Sequence, residues 1–218
     1  LITDYLTELR RYEFPLVDLQ TNGLRLEELA RAGLLQHWYE KRLTTVALSI
    51  VSEDAEENRQ IYTPHKDDYP DLASQIEILH NVGFSVRLTV MMTKGRIDSL
   101  ERVLDMVEFS RENSVEQLTV RPIYAENNSI DPKVGEWTRA NTVEGDRLRG
   151  ISDYFENEAT HILTLQHGAP VYDYKGQNIC LTDCLTVHPE ETEEARQLIF
   201  FPDGHLRYAW QYEGATII

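Results

Sequence analysis

The strongest constraint on this chain is a pattern that occurs four times: an apolar run of strand length that ends on polar residues. The first run, 16–20, ends on Thr21, Asn22 and Gly23, and the other three lie at 47–52, 86–92 and 118–123. Helical patterns separate the runs at the spacing that βαβ crossovers require. The repeat predicts parallel strands with polar side chains near their carboxyl ends, where such folds build their sites.

Hydrophobic periodicity places the individual elements of this predicted α/β fold. Strands are expected at 15–20, 44–51, 85–92 and 117–124, and helices at 2–12, 26–32, 71–81 and 98–111, with a short acidic helix start at 53–59. Four strands do not close a barrel. Residues 1–125 are therefore predicted to form half of a parallel βα barrel or an open sheet.

The second part of the chain, 126–218, has a different sequence pattern and is predicted to be a small α+β extension. We expect a long polar loop at 125–144, serving as a lid or substrate loop, and then a helix within 142–158. Short β pieces follow at 162–166, 178–181, 198–201 and 206–210. The last two are joined by Pro202, Asp203, Gly204 and His205, a strong hairpin-turn signal.

Composition narrows the classes of function. The 218 residues include 21 basic and 37 acidic side chains, for a formal net charge of −16. That balance argues against binding to a nucleic-acid backbone but leaves room for a small polar substrate. The chain has neither an apolar run of membrane-spanning length nor a signal-peptide pattern. With only two cysteines it has no disulfide scaffold, and a cytoplasmic location is predicted.

The ordered set of strand ends resembles the radical SAM superfamily. The resemblance is carried by residues 17–23, 46–50, 83–95 and 118–122, and it covers residues 1–125 as the third to sixth strands of that family's partial barrel. It implies S-adenosylmethionine and a 4Fe–4S cluster as cofactors, and a reductant such as flavodoxin or ferredoxin. The implied reaction is hydrogen abstraction from a small-molecule, nucleotide or peptide substrate by a 5′-deoxyadenosyl radical.

Two defining motifs of that family are not in this sequence. One is the Cys-x3-Cys-x2-Cys loop that holds the cluster, and the other is the Gly-Gly-Glu-Pro-like turn that binds the amino group of S-adenosylmethionine. Both would precede Leu1, which is not a methionine and opens directly on a helical pattern. We therefore expect the first two βα units to lie upstream, and we expect the chain as given not to cleave S-adenosylmethionine.

The resemblance assigns three residues to the cofactor. Ser49 matches a family serine that contacts S-adenosylmethionine, and its hydroxyl can both donate and accept hydrogen bonds. Thr89 stands where the family often carries a polar cofactor contact, and Tyr124 lies near the position that packs against the adenine. The alternative for Ser49 is a strand serine whose hydroxyl is satisfied by the backbone.

Four further residues are predicted to hold the substrate: Thr21, Asn22, Arg87 and Arg121. Arg87 shares a strand face with Thr89, because strand side chains alternate with a period of two. A charge inside a barrel is costly unless it is paired, so Arg87 meets either an anionic ligand or a carboxylate. Arg121 is analogous on the last strand. For Thr21 and Asn22 the alternative role is turn chemistry, since Asn-Gly favours positive φ.

The cysteines and histidines of the chain do not form a recognisable metal site. Cys180 and Cys184 form a Cys-x3-Cys pair, but a cluster needs three or four thiolates, so we expect two reduced structural cysteines. The histidines show no zinc-site spacing; those considered are His161, His167, His188 and His205.

Two other classes of function stay open on the sequence. One is a non-catalytic α/β binding or scaffold protein without a cluster. The other is an ordinary βα-barrel enzyme such as an aldolase or isomerase, for which Lys94 is the lysine nearest a strand end.

Overall fold

A computed structural model describes residues 1–124, 131–165, 168–182, 198–201, 203–208 and 216. The helices are α1 (Ile2–Leu9), α2 (Leu26–Arg31), α3 (Leu34–Glu40), α4 (Ala55–Tyr62), α5 (Leu72–Val82), α6 (Leu100–Glu112), α7 (Pro132–Asn141) and α8 (Gly145–Glu158). The strands are β1 (Asp18–Thr21), β2 (Thr45–Ile50), β3 (Ser85–Met92), β4 (Gln117–Pro122), β5 (Thr160–Thr164), β6 (Pro170–Tyr174), β7 (Gln177–Leu181), β8 (Ile199–Phe200) and β9 (Leu206–Arg207).

One mixed sheet of seven strands organises the fold, in the order β1-β2-β3-β4-β7-β6-β5. The first four strands pair in parallel and in sequence order, and β7 adds to β4 in parallel. The pairings β7–β6 and β6–β5 are antiparallel. The α/β class is thus confirmed, whereas a barrel is not shown, because β1 and β5 end the strand order. The sheet also continues across the predicted boundary at residue 125.

The two faces of this sheet differ in chemistry. The apolar face carries the strand residues of the hydrophobic core, namely Val46, Leu48, Ile50, Val86, Leu88, Val90, Met92, Leu118, Val120, Tyr172, Tyr174 and Ile179. Buried residues of α3, α5, α6 and α8 belong to the same core cluster. The alternate strand residues form the polar face, which includes Asp18, Gln20, Ser49, Arg87, Thr89, Gln117, Thr119, Arg121, Asn178 and Cys180.

Side-chain caps explain where three of the core helices begin. Asp54, Asp71 and Ser99 each accept a hydrogen bond from a backbone N–H in the first turn of α4, α5 and α6. Such a cap stabilises a helix by about 1 kcal/mol. Gly83 ends α5 with a φ of 107°, in the left-handed region that glycine adopts without a steric penalty.

Most predicted elements are confirmed with shifted ends. The third strand occupies its predicted span, Ser85–Met92, and the first, second and fourth differ by three residues or fewer at each end. The turn signal at 202–205 does join two antiparallel strands, since Ile199 pairs with Arg207 and Phe200 with Leu206.

The long polar loop predicted at 125–144 is wrong at Pro132–Asn141, where α7 lies, and its residues 125–130 lie outside the described residues. Asp131 caps α7 through the N–H of Lys133, and Pro132 occupies the first turn, where its missing N–H costs nothing. Helix α3 and strand β6 were not predicted at all. The last predicted β piece, 206–210, is confirmed at Leu206–Arg207, and its residues 209–210 lie outside the described residues.

Candidate functional site

The polar face carries a line of small polar side chains across four neighbouring strands. Ser49 of β2 is in register with Thr89 of β3, Thr89 with Thr119 of β4, and Thr119 with Cys180 of β7. Adjacent strands lie about 4.8 Å apart. Ser49, Thr89 and Thr119 therefore present hydroxyls at regular spacing, and we call these three residues the hydroxyl row.

The hydroxyl row has unused hydrogen-bonding capacity. Ser49 Oγ accepts a hydrogen bond from Gln20 Nε2 at 3.0 Å, which leaves its own proton available for donation. Thr89 is only 6 % exposed, yet its hydroxyl makes no hydrogen bond within the part of the chain that the structure describes. The same holds for Thr119, which is half-buried. These groups can bind a polar ligand without breaking an interaction of the folded chain.

Arg87 is held within the sheet by partners on both sides. Its Nη2 lies 3.1 Å from Asp18 Oδ2 on β1, and its Nε donates to Gln117 Oε1 on β4 at 3.0 Å. Ala47, its register partner on β2, is buried. Of the two alternatives for this charge, pairing with a carboxylate is thus observed, and contact with an anionic substrate stays a prediction.

Arg121 and Tyr124 lie at the carboxyl end of β4. Arg121 is opposite Met91 in the register, two residues beyond Thr119 on the polar face, and is half-buried. Tyr124 follows the strand and is 40 % exposed. Arg121 therefore shares a face with Ser49 and Thr89, whereas Tyr124 stands beyond the paired part of the sheet.

Thr21 and Asn22 perform turn chemistry at the end of β1. Thr21 Oγ1 accepts from the N–H of Gly23 at 3.1 Å, and Asn22 Oδ1 accepts from the N–H of Leu24 at 3.4 Å. Gly23 has a φ of 77°, as expected for Asn-Gly. Thr21 pairs with Leu48, an apolar-face residue, so the register separates it from the hydroxyl row. Ligand contact by either side chain stays a prediction.

The carboxyl end of β2 is fixed by a buried asparagine. Asn58 Oδ1 accepts from the N–H of Val51 at 2.8 Å, and its Nδ2 donates to the Ser52 carbonyl at 2.7 Å. Glu53 next to this point forms an ion pair with Arg102 of α6 at 2.8 Å. The strand that carries Ser49 thus ends in a closely hydrogen-bonded segment, and sites on such rigid elements hold their geometry well.

Sequence reasoning did not select Gln20, Gln117 and Cys180 as members of this site. Strand alternation was sufficient to place Gln20 on the face of Asp18 and Gln117 on that of Thr119. No sequence signal indicates that β7 pairs with β4, so the position of Cys180 beside Thr119 could not be predicted. Cys184, His167 and His188 lie outside the described residues.

The two implied cofactors fit the chain differently. The whole sequence has two cysteines, and the described residues contain no group of three or more His, Cys, Asp or Glu side chains that could hold a metal ion. A 4Fe–4S cluster takes three or four thiolates, so the residues of this chain do not fit it. S-adenosylmethionine has ribose hydroxyls and a carboxylate, which the hydroxyl row and an arginine can hydrogen-bond.

Comparison with known proteins leaves the family open: no family model matches the sequence, and no curated protein matches it significantly. The resemblance to radical SAM enzymes therefore rests on residues in the chain itself. Among the described residues, no helix has the length and apolar character needed to cross a membrane.

Proposed function

We propose that residues 1–218 are the S-adenosylmethionine- and substrate-binding part of a radical SAM enzyme, with the polar sheet face as the ligand surface. One observation carries the proposal: the register places the hydroxyls of Ser49, Thr89 and Thr119 side by side, and those of Thr89 and Thr119 make no hydrogen bond within the described residues. A polar ligand on this face would supply partners for them.

The strand order supports the same function. Parallel strands in sequence order, with the apolar core on one face, are the arrangement expected of consecutive βα-barrel units. In such units the site lies at the carboxyl ends of the strands, near which Ser49 and Arg121 stand. The chain's own part is to bind and orient the two ligands: Ser49 and Thr89 would hydrogen-bond the cofactor, and Arg121 would pair with an anionic group of the substrate.

The cluster ligands would have to come from outside residues 1–218, because this chain has too few cysteines. An electron donor such as flavodoxin or ferredoxin would then be a partner of the enzyme. The second candidate is a cluster-free binding protein for a similar polar ligand. The hydroxyl row favours it, because these groups can bind a polar ligand without any group from outside residues 1–218.

Calorimetric titration of S-adenosylmethionine onto the chain tests the ligand surface. We expect Ser49→Ala and Thr89→Val each to weaken binding about three- to tenfold, the equivalent of one hydrogen bond. Thr45→Val is the matched control, because Thr45 lies on the same face at the other end of β2, about 13 Å from Ser49. An equal effect of the control, or no binding to the unsubstituted chain, would contradict the proposal.

Anaerobic iron and sulfide analysis with EPR, on protein expressed from the complete gene, separates the two candidates. About four irons per chain with a reducible signal would support the radical enzyme. Binding of S-adenosylmethionine without iron, and without cysteines in any further segment of the gene, would favour the cluster-free binding protein.

A further inference from the structure

Two side chains from far along the sequence contact the turn that follows β1. We call residues Thr21–Gly23 the β1 turn. Tyr69 lies in the connection between α4 and α5, and Gln75 lies in the first turns of α5. Both residues lie between β2 and β3, in the next βα unit of the chain. The β1 turn is therefore shaped by a neighbouring unit as well as by its own residues.

Tyr69 fixes the backbone of the β1 turn. Its hydroxyl donates to the carbonyl of Asn22 at 2.9 Å, and its ring stacks on Tyr62 with centroids 6.2 Å apart. Burial raises the pKa of Tyr69 to about 12. The hydroxyl therefore keeps its proton, and its ability to donate, well into the alkaline range.

Gln75 lies directly against the glycine of the turn. A Cβ placed on Gly23 would be 2.6 Å from both the amide nitrogen and the amide oxygen of Gln75. Gln75 is 3 % exposed, and its Nε2 has no hydrogen-bond partner within the described residues. Leaving a buried amide donor without a partner costs free energy, so the position of Gln75 beside this turn calls for an explanation.

We propose that Tyr69 and Gln75 are positioning residues that hold the β1 turn in its ligand-binding shape. The hydroxyl of Tyr69 sets the orientation of the Asn22 peptide, and the amide of Gln75 supports Gly23 from the side where any other residue would carry a Cβ. The turn oxygens of Thr21 and Asn22 are then fixed before a ligand arrives, which lowers the entropy lost on binding. That ligand is the substrate, to which Thr21 and Asn22 are assigned, and this assignment rests on the proposed function.

The test compares Tyr69→Phe and Gln75→Met with the control Tyr62→Phe. The first removes only the hydroxyl and keeps the stacked ring, the second keeps the side-chain volume without the amide, and the control alters the other tyrosine of the stack. Two quantities are measured: amide hydrogen exchange at Gly23 and Leu24 by NMR, which reports the β1 turn, and affinity for S-adenosylmethionine by calorimetry, which reports the proposed cofactor surface separately. We expect both test variants to exchange about five- to tenfold faster at these two amides and to bind S-adenosylmethionine within about twofold of the unsubstituted protein, because Ser49 and Thr89 do not belong to the turn.

Exchange confined to the β1 turn, with the control within about twofold of the unsubstituted protein, supports the inference. Unchanged exchange at Gly23 and Leu24 in both test variants, or an equal change in the control, overturns it. Faster exchange in a protein that does not bind S-adenosylmethionine would leave the positioning role standing while the proposed function fails. If circular dichroism shows that Tyr69→Phe does not fold, Gln75→Met decides the outcome.

Discussion

The apolar and polar faces of the sheet are made from the same strands, but their side chains are constrained in different ways. Leu88 is fully buried against helices, whereas Thr89, the next residue, points to a face where hydroxyls lack partners within the described residues. The apolar face is closed by packing, so its side chains are constrained by volume. The polar face is constrained by register, which places polar groups of separate strands side by side. One-residue steps along a strand thus separate the packed core from the proposed ligand surface.

The largest expected effect comes from the apolar face. Leu88→Ala should lower the free energy of unfolding by about 2–5 kcal/mol, since it leaves a cavity in the core. Thr119→Ala, on the polar face of the adjacent strand, should cost less than about 1 kcal/mol. Urea denaturation of both variants measures the difference. Equal losses would show that the polar face is packed as tightly as the core.

A smaller effect is expected where the polar face does contribute to stability. Arg87 and Asp18 form an ion pair whose side chains are 25 % and 39 % exposed. Because solvent screens such a pair, a double-mutant cycle with Arg87→Met and Asp18→Asn should give a coupling of about 0.5–1 kcal/mol, decreasing at high salt. A coupling of several kcal/mol would mean that water is excluded from the polar face as it is from the apolar face.

The third effect is absent at neutral pH and appears only at alkaline pH, at the β1 turn. Burial raises the pKa of Tyr69 to about 12, above the ordinary value of 10. A raised pKa stabilises the fold at pH values below 10, and that stabilisation is lost as the pH rises from 10 towards 12. Tyr69→Phe should therefore lose less stability over this interval than the unsubstituted protein. Unfolding curves at several pH values, with ultraviolet titration of tyrosine, measure it; identical pH profiles would contradict the assignment.

Local patterns predicted much of the parallel part of the fold. The run Ser85–Met92 is apolar enough to be a central strand, and Asp71 and Gly83 mark both ends of α5. The same rules failed where residues that are typical of loops or helix ends also begin a helix. Asp-Pro at 131–132 is typical of a loop, but here it starts α7. The helix predicted at 26–32 ends just before Gly33, but Gly33 also precedes a second helix, α3, with a φ of 68°.

For the candidate site, alternation predicted which residues share a strand face but not which strands are neighbours. The sequence predicted that Arg87 and Thr89 share a strand face and that Ser49 lies at the end of the preceding strand. The pairing of Cys180 with Thr119 depends on β7 joining β4, and no local signal encodes that contact. The antiparallel strands β6 and β7 meet in a turn at Lys175 and Gly176, both with positive φ, which we did not recognise.

The pairing of β7 with β4 has a consequence for the order in which the chain folds. The stretch between Pro122 and Gln177 is longer than the connection between any two consecutive strands from β1 to β4. Closing it costs more chain entropy than forming the other parallel pairs. The antiparallel unit β5–β7, by contrast, is connected through short turns and can form locally. The rate of folding should therefore respond most to the docking of this unit on β4.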